Sequence, residues 1–167
     1  MLQIRELTAS DVEAVSLIES KVFSMPWSAG DFLEMVEADY AHYYVAEEDG
    51  VIVGCCGIRN IAGEGEITNV VVAQEHRKKG IGQKMLEYML DRAEAFGIGD
   101  CTLEVRVSNQ EAIRLYEKLG FTGEGVRPGF YEKPAEDALI MCKRYEVRGR
   151  ITTSSLVSFM YNGFSQD

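Results

Sequence analysis

The nine residues His76-Arg77-Lys78-Lys79-Gly80-Ile81-Gly82-Gln83-Lys84 decide the fold. They separate a strand-like run, Glu66-Ile67-Thr68-Asn69-Val70-Val71-Val72, from an apolar stripe at helical spacing, Met85, Leu86, Met89, Leu90, Ala93 and Phe96. Four of the chain's 17 basic residues fall within them, and no acid does. The first amides of a helix have no intrahelical partner and carry partial positive charge, so they can point together at one anion. Gly80 and Gly82 carry no Cβ, which lets the backbone approach oxygen atoms closely. A strand, a basic glycine-containing loop and a helix therefore predict a cradle for a pyrophosphate. Other phosphate motifs fit poorly: no Gly-Lys-Ser/Thr is present, and Met85 stands where a dinucleotide fingerprint would carry its third glycine. The plainer alternative is a solvated basic helix start with a tight turn.

Upstream of this loop, Ile4 and Leu7 suggest a short opening strand. A helical pattern follows from Thr8, through Val12, Val15, Leu17, Ile18 and Phe23, with Thr8 and Asp11 resembling a capping box. Met25-Pro26-Trp27-Ser28 breaks that helix, and Ser28 precedes a second one over about 29–38. Three strand-like runs then form an antiparallel meander: Tyr43–Ala46, Val51–Ile58 and Glu66–Val72. Downstream, Gly97 ends the basic loop's helix and Cys101–Val107 reads as a strand. Ser108 and Glu111 read as a capping box for a helix bearing Ala112, Leu115, Tyr116 and Leu119, which stops at Gly120. Two strands, Phe121–Val126 and Ala138–Cys142, complete the order β-α-α-β-β-β-α-β-α-β-β. A meander followed by a β-α-β crossover predicts an α/β class (α+β mixed sheet) with helices on its faces. We expect one domain over residues 1–147 and an appendage over 148–167.

Composition narrows the function. The balance of 17 basic and 27 acidic residues gives a net charge of −10, which argues against a general nucleic-acid binder. No run of 18 apolar residues predicts a membrane span, and the amino terminus lacks the pattern of a signal peptide. Cys55, Cys56, Cys101 and Cys142 show no C-x-x-C spacing, and only His42 and His76 could supplement them as metal ligands. Buried thiols of a cytoplasmic protein are the reading we carry forward, with no metal.

Arg77-x-x-Gly80-x-Gly82 after Asn69-Val70-Val71-Val72 resembles the acetyl-CoA loop of the GCN5-related N-acetyltransferase (GNAT) superfamily. The resemblance covers about residues 2–145. Three further segments resemble the ribosomal-protein alanine N-acetyltransferases (RimI type) within it. They are Pro26-Trp27-Ser28, the long run Leu103-Glu104-Val105-Arg106 to Leu119-Gly120-Phe121, and Asp137–Met141. The resemblance implies a GNAT fold whose central parallel strands splay apart, with acetyl-CoA as cosubstrate in the gap. It places backbone groups of Val70, Val71 and Val72 on the pantetheine arm and the acetyl carbonyl. Arg77 and the amides from Lys78 through Lys79, Gly80, Ile81 and Gly82 to Gln83 would hold the pyrophosphate, and Asn109 would contact the cofactor arm.

The implied reaction is attack of a neutral amine on a thioester. It needs a path for the amine proton, support for the carbonyl oxygen as it gains charge, and a proton for the departing thiolate. The resemblance assigns Glu104 as base and Tyr116 as acid. An ordinary phenol, with a pKa of about 10, keeps its proton at neutral pH yet can hydrogen-bond a thiolate. Trp27, Arg127 and Tyr131 border the acceptor in this reading, the last two from a loop before the final strand. From the residues alone, Glu104 could face solvent, Tyr116 and Trp27 could be core, and Arg127 and Tyr131 could be surface residues. Freeing an α-amine at neutral pH costs roughly 1 to 1.4 kcal/mol, against roughly 4.6 kcal/mol for a lysine. That favours a protein or peptide N-terminus, and the resemblance implies a ribosomal protein's. An acetyltransferase for lysine or a small amine, and a CoA-binding sensor without turnover, remain the alternatives. The sequence sets no oligomeric state.

Overall fold

The structure, a computed structural model, describes residues 1–145. The expected extension over 148–167, and the boundary at 147, lie outside the described residues. Strand β1 (Leu2–Glu6) runs into a 3₁₀ turn at Ala9–Asp11 and helix α1 (Val12–Val22). The Asp11 carboxylate accepts from the Thr8 amide and hydroxyl, each at 2.9 Å, and from the Arg5 guanidinium at 2.8 and 2.9 Å. Helix α2 (Ala29–Glu37) starts where expected. Ser28 Oγ accepts from the Asp31 amide, and the Asp31 carboxylate accepts from the Ser28 amide, which satisfies two donors that the helix leaves open.

Strands β2 (Ala41–Glu48), β3 (Val51–Ile61) and β4 (Glu64–Val72) form the meander. Helix α3 (Ile81–Ala93), strand β5 (Asp100–Arg106), helix α4 (Gln110–Lys118) and the hairpin β6 (Thr122–Glu132) and β7 (Ala135–Arg144) follow. The seven strands make one sheet in the order β1-β2-β3-β4-β5-β7-β6. Among the described residues only β4 and β5 pair in parallel, over Glu64–Glu66 against Asp100–Thr102. Beyond Glu66 and Thr102 the two strands have no mutual register, and β5 continues against β7 alone. This is the expected splay.

Each sheet face carries its own core. Met85, Leu86, Met89 and Leu90 of α3 and Ile113 and Tyr116 of α4 pack with Ile67, Leu103 and Val105 on one face. On the other, Val12 and Val15 of α1 and Phe32 and Met35 of α2 pack over Tyr43, Val45, Cys55 and Val71. Helix α1 lies over β3 and β4, and α2 over β2, so this second layer stops at β4. A bulge in the β3–β4 ladder puts Thr68 and Asn69 on one side, and Tyr43 Oη hydrogen-bonds both. Gly57 makes room for that ring: a Cβ there would lie 2.2 Å from Tyr43.

Two expectations need correction. Ser108 does not cap α4. Asn109 does, its Oδ1 accepting from the Ala112 amide at 3.2 Å, while the Ser108 amide donates to Glu136. Arg127 and Tyr131 lie in strand β6, which runs to Glu132, and not in a loop. The stretch Thr122–Glu132 carries three glycines and a proline and is exposed almost throughout, so it has no apolar alternation to announce a strand. Pairing with β7 makes it one.

Candidate active site

The gap between β4 and β5 opens where the cofactor residues were expected. The Ala73 amide donates to the Val53 carbonyl, which sets the phase of the β3–β4 ladder. By the alternation of an antiparallel pair, Val71 turns its backbone groups to β3, and its side chain is buried under α1 and α2. Val70 and Val72 turn theirs the other way, into the gap. Of the three valines, Val70 and Val72 are thus the ones free to bind an extended ligand arm.

At the end of β4 the chain passes a 3₁₀ turn, Gln74–His76, and enters α3. Gly80 is the N-cap, in the left-handed region at φ 76°, and no side chain caps the helix. Lys78 is also left-handed, at φ 63°. The amides of Ile81, Gly82 and Gln83 are therefore left open at the helix start, while the Lys84 amide already donates to Gly80. Ile81 buries its side chain, so only its backbone is on offer. A Cβ on Gly82 would lie 3.7 Å from Val72 and 3.9 Å from Leu115, which places this helix start against β4 and α4. Arg77 Nε donates to the Val72 carbonyl at 3.3 Å. Lys78 and Lys79 are exposed and make no ion pair among the described residues. Gln83 is tied to Glu87 and Lys118. An uncapped helix start, two free lysines and an open strand edge fit a diphosphate followed by a thioester-bearing arm. Asn109 uses Oδ1 as the α4 cap and keeps its Nδ2 donors free among the described residues.

Glu104 lies on the opposite face of β5 from Leu103 and Val105, and hence on the side where the α1–α2 layer has ended. Its side chain is about a quarter exposed and its Oε1 lies 3.3 Å from Arg127 Nη1. Tyr131 stands close by. Burial raises its phenol pKa and the Glu104 charge raises it further, while Arg106 opposes both. The structure thus gathers Glu104, Arg127 and Tyr131, which the sequence spreads over 28 positions. Tyr116 is buried on the other face, edge-on to Phe121. Burial pushes its phenol well above the ordinary value, with a further push from Tyr131. At neutral pH it keeps its proton.

Trp27 is half-buried and packs on Phe32 and Tyr43, with ring centroids 5.3 and 6.1 Å away. This packing ties the α1–α2 connection to α2 and β2. That connection reaches the β6–β7 turn, where Ser24 Oγ donates to the Lys133 carbonyl at 2.7 Å.

Two residues escaped the sequence reading. Glu19 of α1 is buried; its Oε1 accepts from Asn69 Nδ2 at 3.2 Å and from the Trp27 amide at 3.4 Å, and its Oε2 has no partner. Burial raises its pKa. Arg106, two residues beyond Glu104 on the same face, bonds the β6–β7 turn. All four cysteines are buried and unpaired, and burial pushes Cys101 up to about 11. Among the described residues no group of three His, Cys, Asp or Glu could hold a metal, and no helix is long and apolar enough to cross a membrane.

Known proteins bear on this geometry. The profile of the acetyltransferase (GNAT) family matches residues 12–121. A Bacillus subtilis (strain 168) protein, provisionally assigned as a ribosomal protein bS18-alanine N-acetyltransferase, is 36% identical over 139 residues, covering 83% of this chain and 92% of its own. The ribosomal protein bS18-alanine N-acetyltransferase of Escherichia coli (strain K12) is 31% identical over 143 residues, covering 84% and 96%. The crystal structure of the ribosomal-protein-S18-alanine N-acetyltransferase from Escherichia coli superposes with a TM-score of 0.82 at 28% identity, over 91% of this chain and 99% of that one. The splayed sheet, the open helix start and these likenesses agree: the chain belongs to the acetyltransferase (GNAT) family and is an N-acetyltransferase that uses acetyl-CoA.

Proposed function

We propose that the chain acetylates the α-amine of a protein N-terminus in the cytoplasm, with the N-terminal alanine of ribosomal protein bS18 as its first candidate acceptor. One observation carries this reading: β4 and β5 part after Glu66 and Thr102, which leaves the edge of β4 that bears the Val70 and Val72 backbone groups unpaired beside the strand that carries Glu104. The names and the length match of the curated relatives support the acceptor.

In this reading the α3 amides, Arg77, Lys78 and Lys79 hold the diphosphate of acetyl-CoA, and the Val70 and Val72 backbone holds its arm. Acetyl-CoA supplies an activated thioester. Glu104, directly or through a water, takes the proton from the attacking nitrogen. The open Val72 amide supports the carbonyl oxygen as it gains charge. Tyr116, protonated throughout, gives a hydrogen bond to the departing sulfur. Tyr131 and Arg127 border the acceptor's first residues and Trp27 holds the opposite wall. Direct transfer is favoured over a thiol relay because the cysteines are buried and Cys101 is driven toward its neutral form.

The test is CoA release with three acceptors at neutral pH: a peptide beginning with the bS18 sequence, the same peptide Nα-blocked but carrying a lysine, and a small polyamine. We expect turnover with the first and loss of nearly all of it on blocking. Turnover confined to the lysine peptide or the polyamine would replace the acceptor, and cofactor binding without any turnover would leave a sensor.

A further inference from the structure

The β5 face that carries Glu104 also carries Arg106, about a quarter exposed, whose guanidinium serves four neighbours. Nη1 donates to the Pro134 carbonyl at 2.9 Å and lies 3.4 Å from Glu136 Oε1. Nη2 donates to the Lys133 carbonyl at 3.3 Å. The carbon centre of the guanidinium sits 4.2 Å from the centroid of the Tyr131 ring, within the range of a cation–π contact. Glu136 is itself held, its Oε2 accepting from the Ser108 amide at 2.8 Å. The Lys133 carbonyl is shared: Ser24 Oγ from the α1–α2 connection donates to the same oxygen.

One planar cation therefore joins β5, the β6–β7 turn and, through one carbonyl, the α1–α2 connection. In the reading proposed above, these are the elements that border the acceptor's path to Glu104. A guanidinium suits the place because it offers several donors in one plane and stacks on a ring at the same time. A lysine ammonium offers a point charge and no plane.

We propose that Arg106 is a positioning residue for acceptor recognition: it fixes the Tyr131 ring and the Lys133 carbonyl relative to Glu104 and contacts neither acceptor nor acetyl-CoA. The proposal rests on the reading that an acceptor amine enters between the α1–α2 connection and β6–β7. Its consequence is a split in the kinetics. The bordering elements move when the fork is lost, whereas the uncapped start of α3 and the Val70–Val72 edge belong to other elements and stay.

The test compares wild type with Arg106→Lys and Arg106→Gln, first by assaying the wild type against the three acceptor classes above. With whichever amine the wild type accepts, both variants should raise acceptor KM about tenfold. The kcat should stay within about threefold and CoA affinity, by calorimetry, should be unchanged. Because the acceptor is whichever one the wild type uses, an error in its identity is seen in the wild type and leaves the Arg106 result readable. A second measurement needs no acceptor. The Tyr131 phenol, isolated as the difference in tyrosinate absorbance between each protein and its Tyr131→Phe counterpart, should titrate at higher pH in Arg106→Gln than in wild type. On a Tyr131→Leu background, Arg106→Gln should add less than twofold to acceptor KM. Unchanged acceptor KM in both variants would overturn the proposal. So would a parallel fall of kcat, CoA affinity and melting temperature, which marks a merely structural staple.

Discussion

Arg127 Nη1 lies 3.3 Å from Glu104 Oε1, so the proposed base already has a cation beside it in the free enzyme. Arg127 is more than half exposed, and such pairs contribute about 0.2–1 kcal/mol to stability. Arg127→Gln should therefore leave the melting temperature within about 2 °C of wild type. It should still lower kcat/KM for the acceptor by roughly three- to tenfold, because the carboxylate loses the partner that orients it. Initial rates at saturating acetyl-CoA check this, with CoA affinity expected to be unchanged.

Removing the base has a pH signature set by the acceptor. Glu104→Gln should lower kcat/KM about 100-fold at pH 7, where a terminal amine of pKa about 8 is mostly protonated. The deficit should narrow as the pH passes that value and solvent supplies the neutral amine. A deficit independent of pH would remove Glu104 from this role.

Tyr116 should show no ionisation in the working range, since burial holds its phenol above the ordinary value. Tyr116→Phe should lower kcat by about 10- to 100-fold with little change in either KM. The alkaline side of the kcat profile should keep its shape in the variant.

Lys78 and Lys79 flank an anion cradle yet pair with nothing among the described residues. The double variant Lys78→Gln, Lys79→Gln should weaken CoA binding several-fold at low salt and by less at 0.5 M salt, because exposed charges are screened. Calorimetry at two ionic strengths reads both numbers. Stability should hardly change.

Glu19 predicts a pH-dependent stability. Its carboxyl is raised above 4.5 by burial, so the folded state binds the proton more tightly than the unfolded chain. Stability should be full below that value and fall as pH rises through the raised one, by at most about 1.4 kcal/mol per pH unit. Asp11, held down to about 2 by Arg5, titrates below this window. The stability of wild type minus that of Glu19→Gln, by urea unfolding, should decline from pH 4.5 to 8; the difference removes the opposite trend from His42, whose pKa burial lowers.

The parts of this fold that could be read from the chain are those whose signal is local. Met85, Leu86, Met89 and Leu90 repeat at helical spacing beside a valine run, so α3 and β4 declared themselves, and the loop between them with its glycines did too. The order of elements followed from the changing apolar rhythm and turn residues along the chain, and the splay from the family resemblance. Strand β6 was shortened because Gly123, Gly125, Pro128 and Gly129 sit in an exposed strand whose only strand partner among the described residues is β7. Ser108 and Asn109 are both good caps one residue apart, and only the structure shows which one the helix uses. Glu19 reads as a surface residue of an amphipathic helix, because its partner Asn69 is 50 residues away. Arg106 was quoted as part of a motif but given no task, since its four neighbours arrive from the β6–β7 hairpin far along the chain.

The seam between β4 and β5 is only three residue pairs long. The sheet is in effect two slabs zipped at one end, and the angle between them is where the reading proposed above seats acetyl-CoA. A strand advances about 3.3 Å per residue, so each further pair zipped would shorten the opening by that much. Two more would carry the zip to the level of Glu104 and leave no room for a thioester. On that reading, room for the donor is set by where the enzyme's own sheet stops pairing.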